Sequence, residues 1–460
     1  MVGKESKMKN KFIRKWLVIL TVAAMMIPAG IPANAETVEE GENIAPTAGI
    51  SAETPNVTAE TQKEEISAEM PDMTAETQNE EKSDVQAEGQ NQAKQGVLEA
   101  VRQNTEKAEE ASDAVDVQAE ERTAGEVQIG EQIYPTLTEA FAAAKDGDVL
   151  RLLENAEVSQ PILLTKNVTL DTNGFTVSAA AGFKGNFMFT NRGTFNIVGS
   201  GKIDGSVGTY PLIMINNTGG AVLNIQSSEI TGQGVVQNVG GIVNITGGTL
   251  TASARNTVLS QFGEVHIGAS AHLMAAGEGK SAVQLIGAKM TLSGDAVLSG
   301  NGGIDVFNSN RNEEGTVSAQ VEITGGRIET KDFPVSGNNQ ESAGAEVAIT
   351  GGSLKNISGG TAIYWPMEGQ LTIGGNAVIE GGTGIEAKMG TITIKDNAVI
   401  TGSGEWKEEK PQNGGANPEG SAFLGSAQMY DGCINDSSLV VNILGGTLKS
   451  VNGNAVTIYN

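Results

Sequence analysis

The sequence predicts an all-β solenoid, a β-helix, preceded by an acidic tail that does not fold. Three observations predict it. First, the phrase VNITGGTL (Val243–Leu250) returns as VEITGGRI from Val321, VAITGGSL from Val347 and VNILGGTL from Val441. Second, related phrases start at Val168, Phe195, Leu223, Val265, Met290, Leu371 and Ile392, so nearly all steps run from 20 residues (223 to 243) to 31 (290 to 321). A repeat of that length cannot bury its own apolar face and must stack on the next. Third, no convincing helical period follows Val149, and the corners are rich in glycine.

The elements follow in order. Lys4, Lys7, Lys9, Lys11, Arg14 and Lys15 form a basic head, WLVILTVAAMM from Trp16 a short apolar core, and Ala33 and Ala35 small residues two apart. That pattern is a secretory signal over residues 1–35, cut before Glu36, and its apolar run is short for a membrane span. Residues 36–122 are mostly Glu, Ala, Thr, Gln and Ser without an aromatic residue, and ISAETPNVTAETQKEE (Ile50–Glu65) recurs as ISAEMPDMTAETQNEE (Ile66–Glu81). Such a segment has too little apolar surface to offset the entropy of ordering. It reads as a disordered, self-repelling spacer, with Gly96–Val115 a transient solvated helix.

The folded region begins at residue 123. VQIGEQIY from Val127 reads as a hairpin. Thr136 and Glu139, three apart, suit a capping box, and LTEAFAAAK then runs as a helix towards a stop at Gly147. VLRLL from Val149 opens the strands. In VNITGGTL, Val243 and Ile245 alternate with Asn244, which is a strand with one buried face. Gly247 and Gly248 permit a tight turn, and Leu250 points back to the core. A further strand lies between phrases: LIMIN from Leu212, VVQN from Val235, TAIYW from Thr361 and TGIEA from Thr383. The phrase therefore recurs as one corner of successive coils, and extra material enters loops. The long step from Ile392 to Val441, 49 residues, reads as about two coils plus an insertion.

The entry YPTLTEAFAAAKDGDVLRLLENAEVSQPILLTKNVTLDTNGFTV, followed by NITGGTL-type coils, resembles the pectate-lyase-like repeat proteins on the surface of gut Gram-positive bacteria, over about Gly125–Asn460. The resemblance implies a right-handed parallel β-helix, with a short helix, here Thr136–Lys145, plugging its open N-terminal end. It implies little about activity, since related repeats occur in adhesins, in polysaccharide lyases and hydrolases, and in passive stalks. The chain ends NAVTIYN (Asn454–Asn460) within a coil, without a sorting motif, so the solenoid of residues 123–460 is expected to be truncated at its C-terminus.

Composition narrows the chemistry. A formal charge of -25 repels nucleic acid, anionic membranes and anionic polymers. Cys433 is alone, so no internal disulfide forms, and it reads as a small buried apolar residue. No later stretch is apolar and long enough to span a membrane, so no integral segment is expected in the mature chain. Lyases and hydrolases on this fold need an acidic cluster with a base, or paired carboxylates across a groove. Asp204, Asp295, Asp305, Glu322 and Glu346 instead scatter over different coils and read as solvated outward positions, as does His266. One loop, IDVFNSNRNEEG, crowds Asp305, Arg311, Glu313 and Glu314, and is a candidate site. GNGGID (Gly300–Asp305) lacks the spacing of a calcium repeat, so no metal ligand is assigned, no cofactor is expected, and calcium is left open. Tyr364 and Trp365 are the candidate sugar-stacking rings, and alternation should turn one inward and one outward. No catalytic residue is assigned.

The expected function is a secreted or cell-surface, non-catalytic protein, an adhesin or structural stalk contacting polysaccharides or host or bacterial surface proteins. The alternative is a polysaccharide lyase or glycoside hydrolase of the pectate-lyase-like class, and a third reading is a passive scaffold. Three carboxylates with a Lys or Arg in one groove would favour the enzyme, and evenly spread charge on a flat or aromatic face would favour binding.

Overall fold

The computed structural model describes residues 125–459 except 207–209, 312–314, 338–343, 408–415, 427, 431–432 and 435–438. The expected signal, the acidic spacer and the Gly96–Val115 helix lie outside the described residues.

Strands dominate, and they lie in three long sheets of 14, 12 and 12 strands. One coil runs through Val222–Ile225 in the first sheet, Glu229–Gly232 in the second and Val236–Val239 in the third, and returns to the first at Ile242–Ile245. Each strand pairs in parallel with its counterparts one coil earlier and one coil later. The result is a parallel β-solenoid, the architecture of a β-helix. Its one antiparallel start is the hairpin Val127–Ile129 with Gln132–Tyr134, as VQIGEQIY predicts.

The phrase starts form a single register line. Val168, Phe195, Leu223, Val243, Val265, Met290, Val321, Val347, Leu371, Ile392 and Val441 pair in sequence along the first sheet. The last apolar letter of each phrase does the same in the second sheet, where Ile230, Leu250, Leu273 and Leu298 are consecutive partners. All but the last coil's members of these lines are buried in one continuous core. The turn glycines are forced by stacking. A Cβ on Gly248, at φ 83°, would sit 2.4 Å from the Ser228 carbonyl oxygen of the preceding coil.

The step from Ile392 to Val441 corrects the expectation of two coils. The two residues are direct partners, so the step is one coil carrying two insertions, between Gly402 and Phe423 and between Ser426 and Leu439. Length alone overcounted, because an insertion that leaves and re-enters at a corner does not disturb register.

A helix, α1 (Leu137–Ala143), is the one helix among the described residues. Thr136 Oγ1 accepts from the Glu139 amide at 3.2 Å, the cap expected from the sequence. Its buried face is Leu137, Ala140 and Phe141, and the Phe141 ring meets Phe189 and Phe195 edge-on at 5.9 and 6.0 Å. Inside the corner between third and first sheets stands a buried ladder. Asn191 Nδ2 donates to Asn217 Oδ1 (2.8 Å), Asn217 Nδ2 to Asn238 Oδ1 (2.9 Å), and Asn238 Nδ2 to Ser260 Oγ (3.0 Å).

Candidate functional sites on two faces of the solenoid

On the third sheet, Gln284, Asp305, Ser336, Tyr364 and Glu386 occupy one register row on successive strands. Their chain neighbours Ile304, Val306, Ile363, Trp365, Ile385 and Ala387 lie in the core, so the row faces outward. The structure thus brings two of the sequence candidates, Asp305 and Tyr364, onto one face. Asp305 accepts hydrogen bonds from Ser281 Oγ at 2.6 Å and Ser336 Oγ at 2.5 Å. Burial holds its carboxyl above the ordinary aspartate range, those two hydrogen bonds oppose the shift, and Asp332 adds to it.

Trp365 turns inward and is fully buried, and Tyr364 turns outward, the alternation the sequence implies. The outward ring is nevertheless covered: Tyr364 is 9% exposed and stacks on Phe333 with centroids 5.2 Å apart. Neither residue offers a free ring face. Arg311 lies in the antiparallel hairpin Ser309–Arg311 with Gly315–Val317, while Glu313 and Glu314 lie outside the described residues.

Further along the same face is a cluster that sequence reasoning missed. Glu386 and Lys388 are both 0% exposed, with Lys388 Nζ 2.9 Å from Glu386 Oε1. They touch as charges, yet neither atom has an aligned hydrogen-bond partner. The other oxygen, Glu386 Oε2, accepts from the Asn417 amide (2.7 Å) and Thr361 Oγ1 (3.2 Å). Glu419 is also buried; its amide donates to Thr383 Oγ1 (2.8 Å), and its carboxylate accepts from Ser421 Oγ and from Tyr459 Oη (3.1 Å). Residues of the 403–422 insertion are thereby tied to the third sheet by polar contacts. The signal in the sequence was slight: one charged residue in the short strand TGIEA, followed by Lys388.

The first sheet carries an open trough. About 470 Å³ is lined by outward side chains of five successive strands, among them Glu264, His266, Lys289, Glu322, Glu346 and Gln370. Two of the carboxylates that scatter in sequence, Glu322 and Glu346, are gathered here with Glu264 by the register. Two basic groups stand near Glu264: His266 Nε2 lies 3.5 Å and Lys289 Nζ 3.9 Å from its carboxylate. His266 is fixed from the other side by Thr291 Oγ1 at 2.9 Å from Nδ1. Glu322 and Glu346 stand exposed on the next two strands. Upstream on the same face, Asn244 donates to Asn224 (2.8 Å) and Asn224 to Asn196 (2.7 Å), an outer amide row continuous in register with His266.

Among the described residues no group of three or more His, Cys, Asp or Glu is placed to hold a metal ion, and no helix is long and apolar enough to cross a membrane. The chain matches no family model, and neither the curated proteins nor the solved structures compared with it gave a match.

Proposed function

We propose that the chain is a secreted or surface-displayed, non-catalytic β-helix of the right-handed, pectate-lyase-like type, which binds glycans along the first sheet. The observation that supports this reading is the open trough, whose lining side chains repeat strand after strand. Neighbouring strands are about 4.8 Å apart, so an extended polymer lying across them meets a fresh set of side chains at each step. Sugar hydroxyls donate to carboxylates and accept from Lys289, Gln320 and Gln370, and no lining residue is Phe, Tyr or Trp, so polar contacts rather than ring stacking carry the binding.

A second reading, a lyase or hydrolase, is favoured by the carboxylates themselves. Glu264, Glu322 and Glu346 share the trough with Lys289, the grouping set out above as the mark of an enzyme. Glu322 and Glu346 are offset by one strand and two residues, about 8 Å between Cα atoms, and paired carboxylates across a groove are what a glycosidase uses. A glycosidase keeps its acid protonated by burying it, and both of these side chains stand exposed, so binding is the first reading.

The test is to incubate the full-length chain with plant, mucin and microbial polysaccharides and to score retention of protein and release of shorter products. Retention without products is expected. Product release that E322Q or E346Q abolishes would replace the binding reading with the enzymatic one, and silence on both counts would overturn both.

A further inference from the structure

We infer that the trough selects a glycan bearing free amino groups over its neutral and anionic counterparts. The inference rests on the glycan-binding reading and goes beyond it to the ligand's charge. It starts from how charge is laid along the cavity. At one end Glu264 has the Lys289 ammonium at 3.9 Å and the His266 ring at 3.5 Å. At the other end, Glu322 has Thr291 and Ala348 as in-register neighbours, and Glu346 has Gln320 and Gln370, all uncharged. The cavity is therefore polarised along its length: the Lys289 ammonium is held at Glu264, and the other half presents Glu322 and Glu346, neither of them in an ion pair among the described residues.

A ligand in that half must supply the missing cations. A protonated amine on a sugar ring does so by charge-assisted hydrogen bonds, which are stronger than those a neutral hydroxyl makes. A uronic acid or sulfated sugar would bring like charge against Glu322 and Glu346, and such juxtaposition is a strong means of rejection. A basic peptide is the less suitable occupant. Extended peptides bind by adding a strand to a sheet edge, whereas the trough lies on the face of a sheet whose strands here are paired on both sides.

The experiment measures binding of a β-1,4-linked glucosamine hexamer, the fully N-acetylated hexamer and a glucose hexamer of the same linkage. The full-length chain is used, at a pH where the glucosamine amine is protonated. The glucosamine hexamer is expected to bind at least about tenfold more tightly than the other two, a difference that weakens with added salt. The double variant E322Q/E346Q is expected to abolish the preference. The charge-matched variant E154Q/E157Q, altered at exposed residues outside the trough, is expected to retain it. Equal binding of all three hexamers overturns the amine preference and leaves the glycan reading standing. Equal loss in both double variants assigns the preference to the chain's overall acidity and overturns the inference. Failure of every hexamer overturns it too, and where the polysaccharide panel is also silent the glycan reading falls with it.

Discussion

Replacing Lys388 by Met is expected to destabilise the late coils by about 3–5 kcal/mol, the cost of stripping one partner from a buried ion pair. The magnitude follows from the local arrangement. Lys388 and Glu386 are both fully buried and 2.9 Å apart, so the variant leaves Glu386 Oε1 charged, dry and without a cation. The other oxygen keeps its two donors, Thr361 Oγ1 and the Asn417 amide, which holds the carboxylate in place rather than letting it swing to water. The double variant E386L/K388M behaves differently. Replacing a buried pair by apolar groups ranges from neutral to stabilising by about 1–4 kcal/mol. Here Thr361 and Asn417 lose an acceptor, at about 1–3 kcal/mol for each donor left unpaired. Taken at their midpoints, the two donors cost about 4 kcal/mol and removal of the pair returns about 2, so the double variant should lie about 2 kcal/mol below the parent and be more stable than K388M alone. Urea unfolding followed by Trp365 fluorescence reads this directly, because Trp365 is buried in register with Ala387, the residue before Lys388. Trp16 and Trp406, the other two tryptophans, are replaced by Phe in every variant. A K388M loss below about 1 kcal/mol, or a double variant weaker than the single one, would refute the claim that this pair is sealed and costly.

Two further outcomes follow from the same geometry. The folded-state pKa of Asp305 is raised, so the folded chain binds more protons than the unfolded one above pH about 4, and stability falls as pH rises through that window up to the raised value. Asp305→Asn should flatten this part of the stability–pH curve and raise stability at neutral pH; an unchanged pH profile in urea titrations would refute it. Gly248→Ala should cost more than about 1 kcal/mol, through its positive φ and the contact with the Ser228 carbonyl, whereas Gly240→Ala, also at positive φ but with open space around it, should cost less. Equal thermal shifts for the two variants would refute the packing part of that argument.

The register of the solenoid was legible because it is written in apolar side chains. Val243 and Leu250 must land on the same core line as Val321 and Ile328, and a slip of one residue would turn every buried side chain outward. A reader needs only the period to place them. The insertion around Trp406 carries no such constraint, so its length misled the coil count: Ile392 and Val441 were read as about two coils apart and are direct partners. Side-chain roles on the outer faces were legible only in part. That Trp365 turns in and Tyr364 out follows from alternation, but the cover of Phe333 over Tyr364 depends on a corner loop from the preceding coil.

The candidate sites show why function is harder to read than fold in a chain of this kind. Glu264, Glu322 and Glu346 are far apart in sequence and look like unrelated solvated positions. Once the coils stack, Glu322 and Glu346 stand on adjacent strands and Glu264 two strands from Glu322, separated by strand spacing rather than by chain length. A solenoid thus converts sequence period into a surface lattice, and any residue placed at the same letter of successive phrases becomes part of a row. His266 shares its letter with Asn244 and Thr291, while Glu264 and Lys289 share the letter before the phrase begins. Reading outward letters by coil, as a grid, would have found the trough from the sequence. It would not have found the surroundings of Glu386 and Lys388, because Asn417 reaches Glu386, and Glu419 reaches Thr383, from an insertion that belongs to no phrase. The grid therefore predicts where an extended ligand can lie, and the insertions decide which parts of the grid remain open to it.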